Sequence, residues 1–166
     1  MNTQSSVNTR IKVGIIGFGR MGRFYWEAMT KSGRWNIAYI CDTDPESRQL
    51  AKKLSPESLI VEDNQKVFED ESVQVVGLFT LADSRMEQIE KAIRYGKHII
   101  SEKPVADTME NEWKVVEMTE NTNLFLSGNR LPQYTKHNAK TAARGSALSC
   151  LGGLPWQKTK SKTQTT

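Results

Sequence analysis

Up to about residue 128, short apolar runs alternate with stretches in which apolar residues recur every three or four positions. Ile11-Lys12-Val13-Gly14-Ile15-Ile16 reads as a buried strand. Residues 21–32 follow as a helix with Phe24, Ala28 and Met29 on one face, closed by Gly33. Strand character returns at 36–41. Pro45 then opens a helix to Leu54 that turns Leu50, Ala51 and Leu54 inward. A short strand at 58–61 and a small helix at 64–69 carrying Val67 and Phe68 come next. Residues 73–79 form a continuous apolar run, the mark of a strand covered on both faces. Residues 84–95 place Met86, Ile89, Ala92 and Ile93 at helical spacing before Gly96, and 98–100 form a fifth strand. Asp107 or Thr108 caps a helix through 120, with Trp113, Val116 and Met118 available for burial. Residues 124–127 make a sixth strand.

Six strand–helix alternations with short polar connections predict an α/β fold with a doubly wound parallel sheet. Ligands of such sheets bind beyond the carboxyl ends of the strands, at the switch in strand order. The residues expected there are 17–22, Asp42, 80–85, 102–104 and 128–130. From Ala142 onward no apolar period is sustained, so 142–166 is expected to be a disordered basic tail, and the polar residues 1–10 a disordered lead.

Charge changes the picture only by its distribution. Seven of the 23 Lys and Arg residues lie from Asn129 onward with no acid among them, leaving 16 basic against 19 acidic residues before it. The basic balance belongs to the tail, which lacks interleaved aromatics apart from Trp156, so nucleic acid is not an expected partner. No stretch approaches the ~20 apolar residues of a membrane span, and no signal-peptide core opens the chain. Cys41 and Cys150 form neither a disulfide framework nor a metal-ligand spacing. No metal is expected, and a reducing cytoplasm is the expected compartment.

The chemistry begins with Gly17-Phe18-Gly19-Arg20-Met21-Gly22, a G-x-G-x-x-G turn between strand and helix. Gly17 permits the turn, Gly19 lets a diphosphate approach the backbone, and Gly22 lets helix and strand pack closely. The free amides of Phe18, Arg20 and Met21 at the helix start, with its dipole, suit phosphate oxygens. Asp42, twenty residues after Gly22, stands at the tip of the second strand. A carboxylate there accepts from the ribose hydroxyls and repels a 2′-phosphate, which favours NAD over NADP. Asp42 also suits a turn leading into Pro45, and Arg20 and Arg48 are cations able to meet a 2′-phosphate.

Gly96-Lys97-His98-Ile99-Ile100-Ser101-Glu102-Lys103-Pro104 is the second specific signal. With the glycine turn and Asp42, it resembles the N-terminal, Rossmann-type half of the Gfo/Idh/MocA oxidoreductases, over about Ile11 to Lys140. The resemblance implies hydride transfer between a secondary alcohol of a sugar or cyclitol and NAD(P). It implies that Lys103 stands beside the nicotinamide and the substrate hydroxyl as the catalytic candidate, with Glu102 in support and Pro104 in a tight, often cis, turn. The segment after strand four, where relatives carry Thr-Pro-Asn and a histidine against the cofactor, reads Thr80-Leu81-Ala82-Asp83-Ser84-Arg85 here. Thr80 and Leu81 are therefore expected at the cofactor. Ser84 or Asp83 is expected to cap the next helix, and Arg85 to touch the cofactor or to lie on a solvated helix face. Gly128-Asn129-Arg130 resembles the crossing into the family's second domain, which places Asn129 among the cofactor contacts and 129–141 in a leading helix.

The family's second domain supplies the substrate pocket, the oligomer interface and a histidine–carboxylate pair. Here His98 and His137 are the two histidines, and no acid follows Glu120. The expected reading is a dinucleotide-binding domain over 11–128 that lacks most of that domain and is incompetent alone. The intact parent would take a small-molecule substrate and form a homo-oligomer. The alternatives are a non-catalytic nucleotide-binding or interaction module, or a frame-shifted gene remnant.

Overall fold

The computed structural model describes residues 10–120 and 122–128. Their order is β1 (Ile11–Ile16), α1 (Arg20–Ser32), β2 (Trp35–Cys41), α2 (Pro45–Leu54), β3 (Leu59–Val61), α3 (Gln65–Glu69), β4 (Val75–Leu78), α4 (Ala82–Arg94), β5 (His98–Ser101), α5 (Met109–Glu120) and β6 (Leu126–Gly128). The strands form one sheet in the order β3-β2-β1-β4-β5-β6. Every neighbouring pair is parallel. Of the segments expected at 1–10, 129–141 and 142–166, all but Arg10 lies outside the described residues.

The alternation of side chains along each strand splits the core in two. Ile16, Val76, Leu78 and Ile99 meet Val67 and Phe68 of α3, Ile89 and Ala92 of α4, and Val115 of α5. On the other face Val13, Ile15, Ile37, Ile40, Val75 and Ile100 meet Met29 of α1 and Ala51 of α2. Strands covered on both faces must be apolar nearly throughout, and β4 is buried at all four of its positions.

Helix termini follow local chemistry. The Asp44 carboxylate accepts from Ser47 N at 2.8 Å and caps α2, with Pro45 in the first turn. The Thr108 hydroxyl accepts from Asn111 N at 3.1 Å at the head of α5. Gly33 ends α1 in the left-handed region.

Several expectations are corrected. On α1, Phe24 is 53% exposed and Ala28 is exposed, because Gly22, Tyr25, Trp26 and Met29 face the sheet instead. The helix is oriented by the close approach of Gly22 to the strand exit. Leu54 and Trp113 are exposed rather than core, each on the outer side of its helix. The α4 helix starts at Ala82 with Leu81 as N-cap and no side-chain cap; Ser84 Oγ bonds back to the Leu81 carbonyl, so neither Ser84 nor Asp83 caps it.

Candidate functional site

Strand order reverses between β1 and β4, so the chain leaves β1 toward β2 on one side while β4 continues to β5 on the other. In sheets of this kind, ligands bind in the crevice beyond the carboxyl ends at this point. Gly17 there has φ +88°, and a Cβ on it would lie 2.9 Å from the Phe79 carbonyl. A Cβ on Gly22 would lie 2.0 Å from the Gly17 carbonyl oxygen, so α1 is packed directly on the turn. A Cβ on Gly19 would meet nothing within 4 Å. Two glycines therefore serve the fold, and the middle one keeps its Cα side open toward solvent.

Gly19 is also the N-cap of α1, with no side chain capping the helix and no acid in its first turn. The amides of the first turn thus face outward without a protein acceptor of that kind, as an anion site requires. The Phe18 side chain turns the other way, fully buried and edge-on to Trp26 at 6.2 Å. Its amide, expected to be free for phosphate oxygens, instead donates to Asp42 Oδ2 at 2.6 Å, because the β2 tip lies against the glycine turn. The other carboxylate oxygen, Oδ1, accepts from Asp44 N at 2.9 Å. The structure so brings Asp42 against the glycine turn, half-buried at the β2 tip. Arg20 is exposed and Met21 half-buried at the helix start.

The second half of the crevice is built at the ends of β4 and β5. Thr80 Oγ1 bonds Gln88 Oε1 at 2.8 Å, and Leu81 is 77% exposed. Glu102 is buried, while Lys103 is exposed beside it, joined to Pro104 by a cis peptide bond. Lys103 N donates to Glu102 Oε2 at 3.2 Å. The Tyr25 ring stacks on Phe79 at 4.3 Å, and burial together with the facing Glu102 carboxylate pushes its phenol up to about 12. Phe79 touches the Gly17 turn, so Gly17, Phe79, Tyr25 and Glu102 join the two halves.

Of the two positions expected for Arg85, a cofactor contact or a solvated helix face, the second is excluded by its burial. It is 4% exposed, and its guanidinium bonds the carbonyls of Thr80 (Nε, 3.0 Å), Glu102 (Nη1, 2.7 Å) and Pro104. Burial lowers its pKa, against the facing Glu102 and Asp83. It clamps the turn after β4 to the turn after β5, which fixes where Glu102 and Lys103 stand.

The string from Gly96 to Pro104 is divided by β5. Lys97 and His98 stand at the opposite end of the sheet from Glu102 and Lys103. Lys97, buried, donates to the carbonyls of Asp70 and Val73 at 2.8 and 2.9 Å, and His98 Nδ1 accepts from Phe125 N at 3.0 Å. Sequence reasoning missed Tyr25, Phe79 and Gln88. The signal that could have pointed to Tyr25 is its place three positions after Gly22, on the same helix face, once Gly22 is known to pack on the turn. Asn129 lies outside the described residues. Among the described residues no cluster of His, Cys, Asp or Glu could hold a metal, and no helix is long and apolar enough to cross a membrane.

Residues 11–129 match the Gfo/Idh/MocA family, described as an oxidoreductase family with an NAD-binding Rossmann fold. This chain belongs to that family. Among curated relatives, a glycosyl hydrolase family 109 protein of Porphyromonas gingivalis is 30% identical over 121 residues, 68% of this chain and 26% of the relative. An inositol 2-dehydrogenase/D-chiro-inositol 3-dehydrogenase of Lacticaseibacillus casei is 27% identical over 110 residues, 64% of this chain and 32% of that one. Among solved structures, an oxidoreductase from Agrobacterium radiobacter in complex with NAD+, L-tartaric acid and magnesium superposes with TM-score 0.69 at 25% identity, covering 73% of this chain and 35% of that one. The chain spans about a quarter to a third of the length of the curated relatives it matches.

Proposed function

We propose that residues 11–128 bind NAD for an oxidoreductase that moves hydride between a secondary alcohol of a sugar or cyclitol and the nicotinamide. The observation that carries this reading is the pairing at one crevice of an uncapped helix start, open at Gly19, with the Asp42 carboxylate bonded to the same turn. The residues fit the group: a backbone cradle that any Cβ at Gly19 would obstruct, and a carboxylate within one hydrogen bond of it. Gly19, Arg20 and Met21 hold the diphosphate, Gly17 and Gly22 keep the turn closed, and Asp42, tied to the turn through the Phe18 amide, accepts from the adenosine ribose.

Thr80, Leu81, Glu102 and Lys103 line the nicotinamide side, with Arg85 positioning them through their backbone. A bound nicotinamide would accept the hydride that leaves the carbinol carbon. Lys103 hydrogen-bonds the substrate hydroxyl and offsets alkoxide charge, and Glu102 orients it through the Lys103 amide. The relatives' names support a polyhydroxylated substrate, and the carboxylated ligand of the Agrobacterium radiobacter structure is compatible with an acidic one. Calorimetric titration with NADH tests the reading. One saturable site per chain is expected, and no heat from folded protein at millimolar NADH contradicts it.

A further inference from the structure

The tips of β2 and β3 each carry an acid, and one arginine spans them. Asp42 N donates to the Val61 carbonyl at 3.2 Å, which sets Glu62 beside Asp42 as the next residue along β3. Arg48, in the first turns of α2, folds back over this pair. Its Nη1 donates to the carbonyls of Asp42 (2.9 Å) and Thr43 (2.8 Å), and its Nη2 lies 3.1 Å from Glu62 Oε2. The arginine side chain is 23% exposed and the glutamate 69%. A guanidinium has five N–H donors in a rigid fork, the group best shaped to grip a phosphate. Here three of those donors are held by the strand tips.

We propose that Glu62, by latching Arg48, is a second determinant of the choice between NAD and NADP, beside Asp42. A 2′-phosphate on the adenosine ribose would meet two carboxylates at adjoining strand tips, while the nearby guanidinium stays committed to carbonyls and to Glu62. The ribose of NAD needs only an acceptor, and Asp42 provides it. The latch also braces the 42–44 turn, whose Asp44 amide holds Asp42 Oδ1, so the same contacts aim the carboxylate and withhold the cation. Neutralising Asp42 alone therefore removes one repulsion but leaves the arginine latched. Releasing Glu62 as well supplies the missing phosphate ligand.

This inference rests on the cofactor reading above, and the experiment separates the two. NADH and NADPH are titrated by nicotinamide fluorescence into the wild-type chain, Glu62→Gln, Asp42→Asn, the double variant, and the double variant with Arg48→Leu. Wild type binds NADH and disfavours NADPH. Glu62→Gln, an exposed change whose cooperative urea unfolding reports an intact fold, gains about fivefold for NADPH. The double variant binds NADPH about tenfold tighter than Asp42→Asn alone, and Arg48→Leu removes that gain. No NADPH gain in Glu62→Gln or the double variant while each still unfolds cooperatively in urea, or a gain that survives Arg48→Leu, overturns the latch. A wild type that binds neither nucleotide overturns the cofactor reading itself.

Discussion

The backbone amide of Phe18 donates to Asp42 Oδ2 at 2.6 Å, so the glycine turn and the tip of β2 form one unit. Asp42 thus shapes the turn as well as standing ready for the ribose. Asp42→Ala leaves the amides of Phe18 and Asp44 without their acceptor. It is expected to cost about 2 kcal/mol in urea unfolding and to weaken NADH binding. Asp42→Asn, which keeps one acceptor oxygen, should lose less stability.

The glycines separate fold from ligand. Gly22→Ala drives a methyl to 2.0 Å from the Gly17 carbonyl, which is backbone and cannot swing aside. A loss of about 1–3 kcal/mol is expected from thermal or urea unfolding. Gly19→Ala meets nothing in the protein, at φ −67°, and should leave the melting temperature nearly unchanged. Its methyl occupies the diphosphate approach, so NADH affinity should fall. Equal effects of the two changes on stability would refute the division of roles.

Arg85→Ala is expected to destabilise by about 2–3 kcal/mol, because three carbonyls on two turns, that of Glu102 buried and the others part-buried, lose their shared donor. Arg85→Lys should recover only part, since an ammonium cannot span both turns with a planar fork. Chemical denaturation of both variants checks this.

Asp70 ties the far end of the sheet. Its carboxylate accepts from Ser72 N at 2.8 Å and from the Ser72 hydroxyl, and Lys12 Nζ lies 3.4 Å away. The Ser72 bonds, with smaller help from Tyr39 and Lys12, hold its pKa down to about 2 from an ordinary 3.8, against burial. The folded form releases the proton more readily, so the stabilisation is complete above the ordinary value and is lost as pH falls through about 2. Screened by solvent, it amounts to about 1 kcal/mol. Asp70→Asn should lower stability at pH 7 by that amount and flatten its decline between pH 4 and 2, as read by urea midpoints.

The fold was legible because its strands are apolar on both faces and its helices periodic, and those signals are local. The glycine turn and Asp42 were legible because their spacing encodes one strand, one turn and one crossover helix. Side-chain orientation was less so. Phe24, Tyr25 and Trp26 are adjacent aromatics, and which of them faces the sheet depends on the contact of Gly22 with the Gly17 carbonyl, a tertiary fact. Arg85 escaped for the same reason: two of its three carbonyl partners lie 17 and 19 residues on, across the sheet ends. No pattern near Arg85 signals a buried guanidinium.

Amide chemical-shift mapping tests the central claim most directly. In a nitrogen–proton correlation spectrum titrated with NADH, the amides of Phe18, Gly19, Arg20 and Met21 and those flanking Asp42 should shift together and saturate together. The amides around Asp70 and Lys97, at the other end of the sheet, should stay still. Shifts confined to that far end, or a silent glycine turn in a folded protein, would contradict the account.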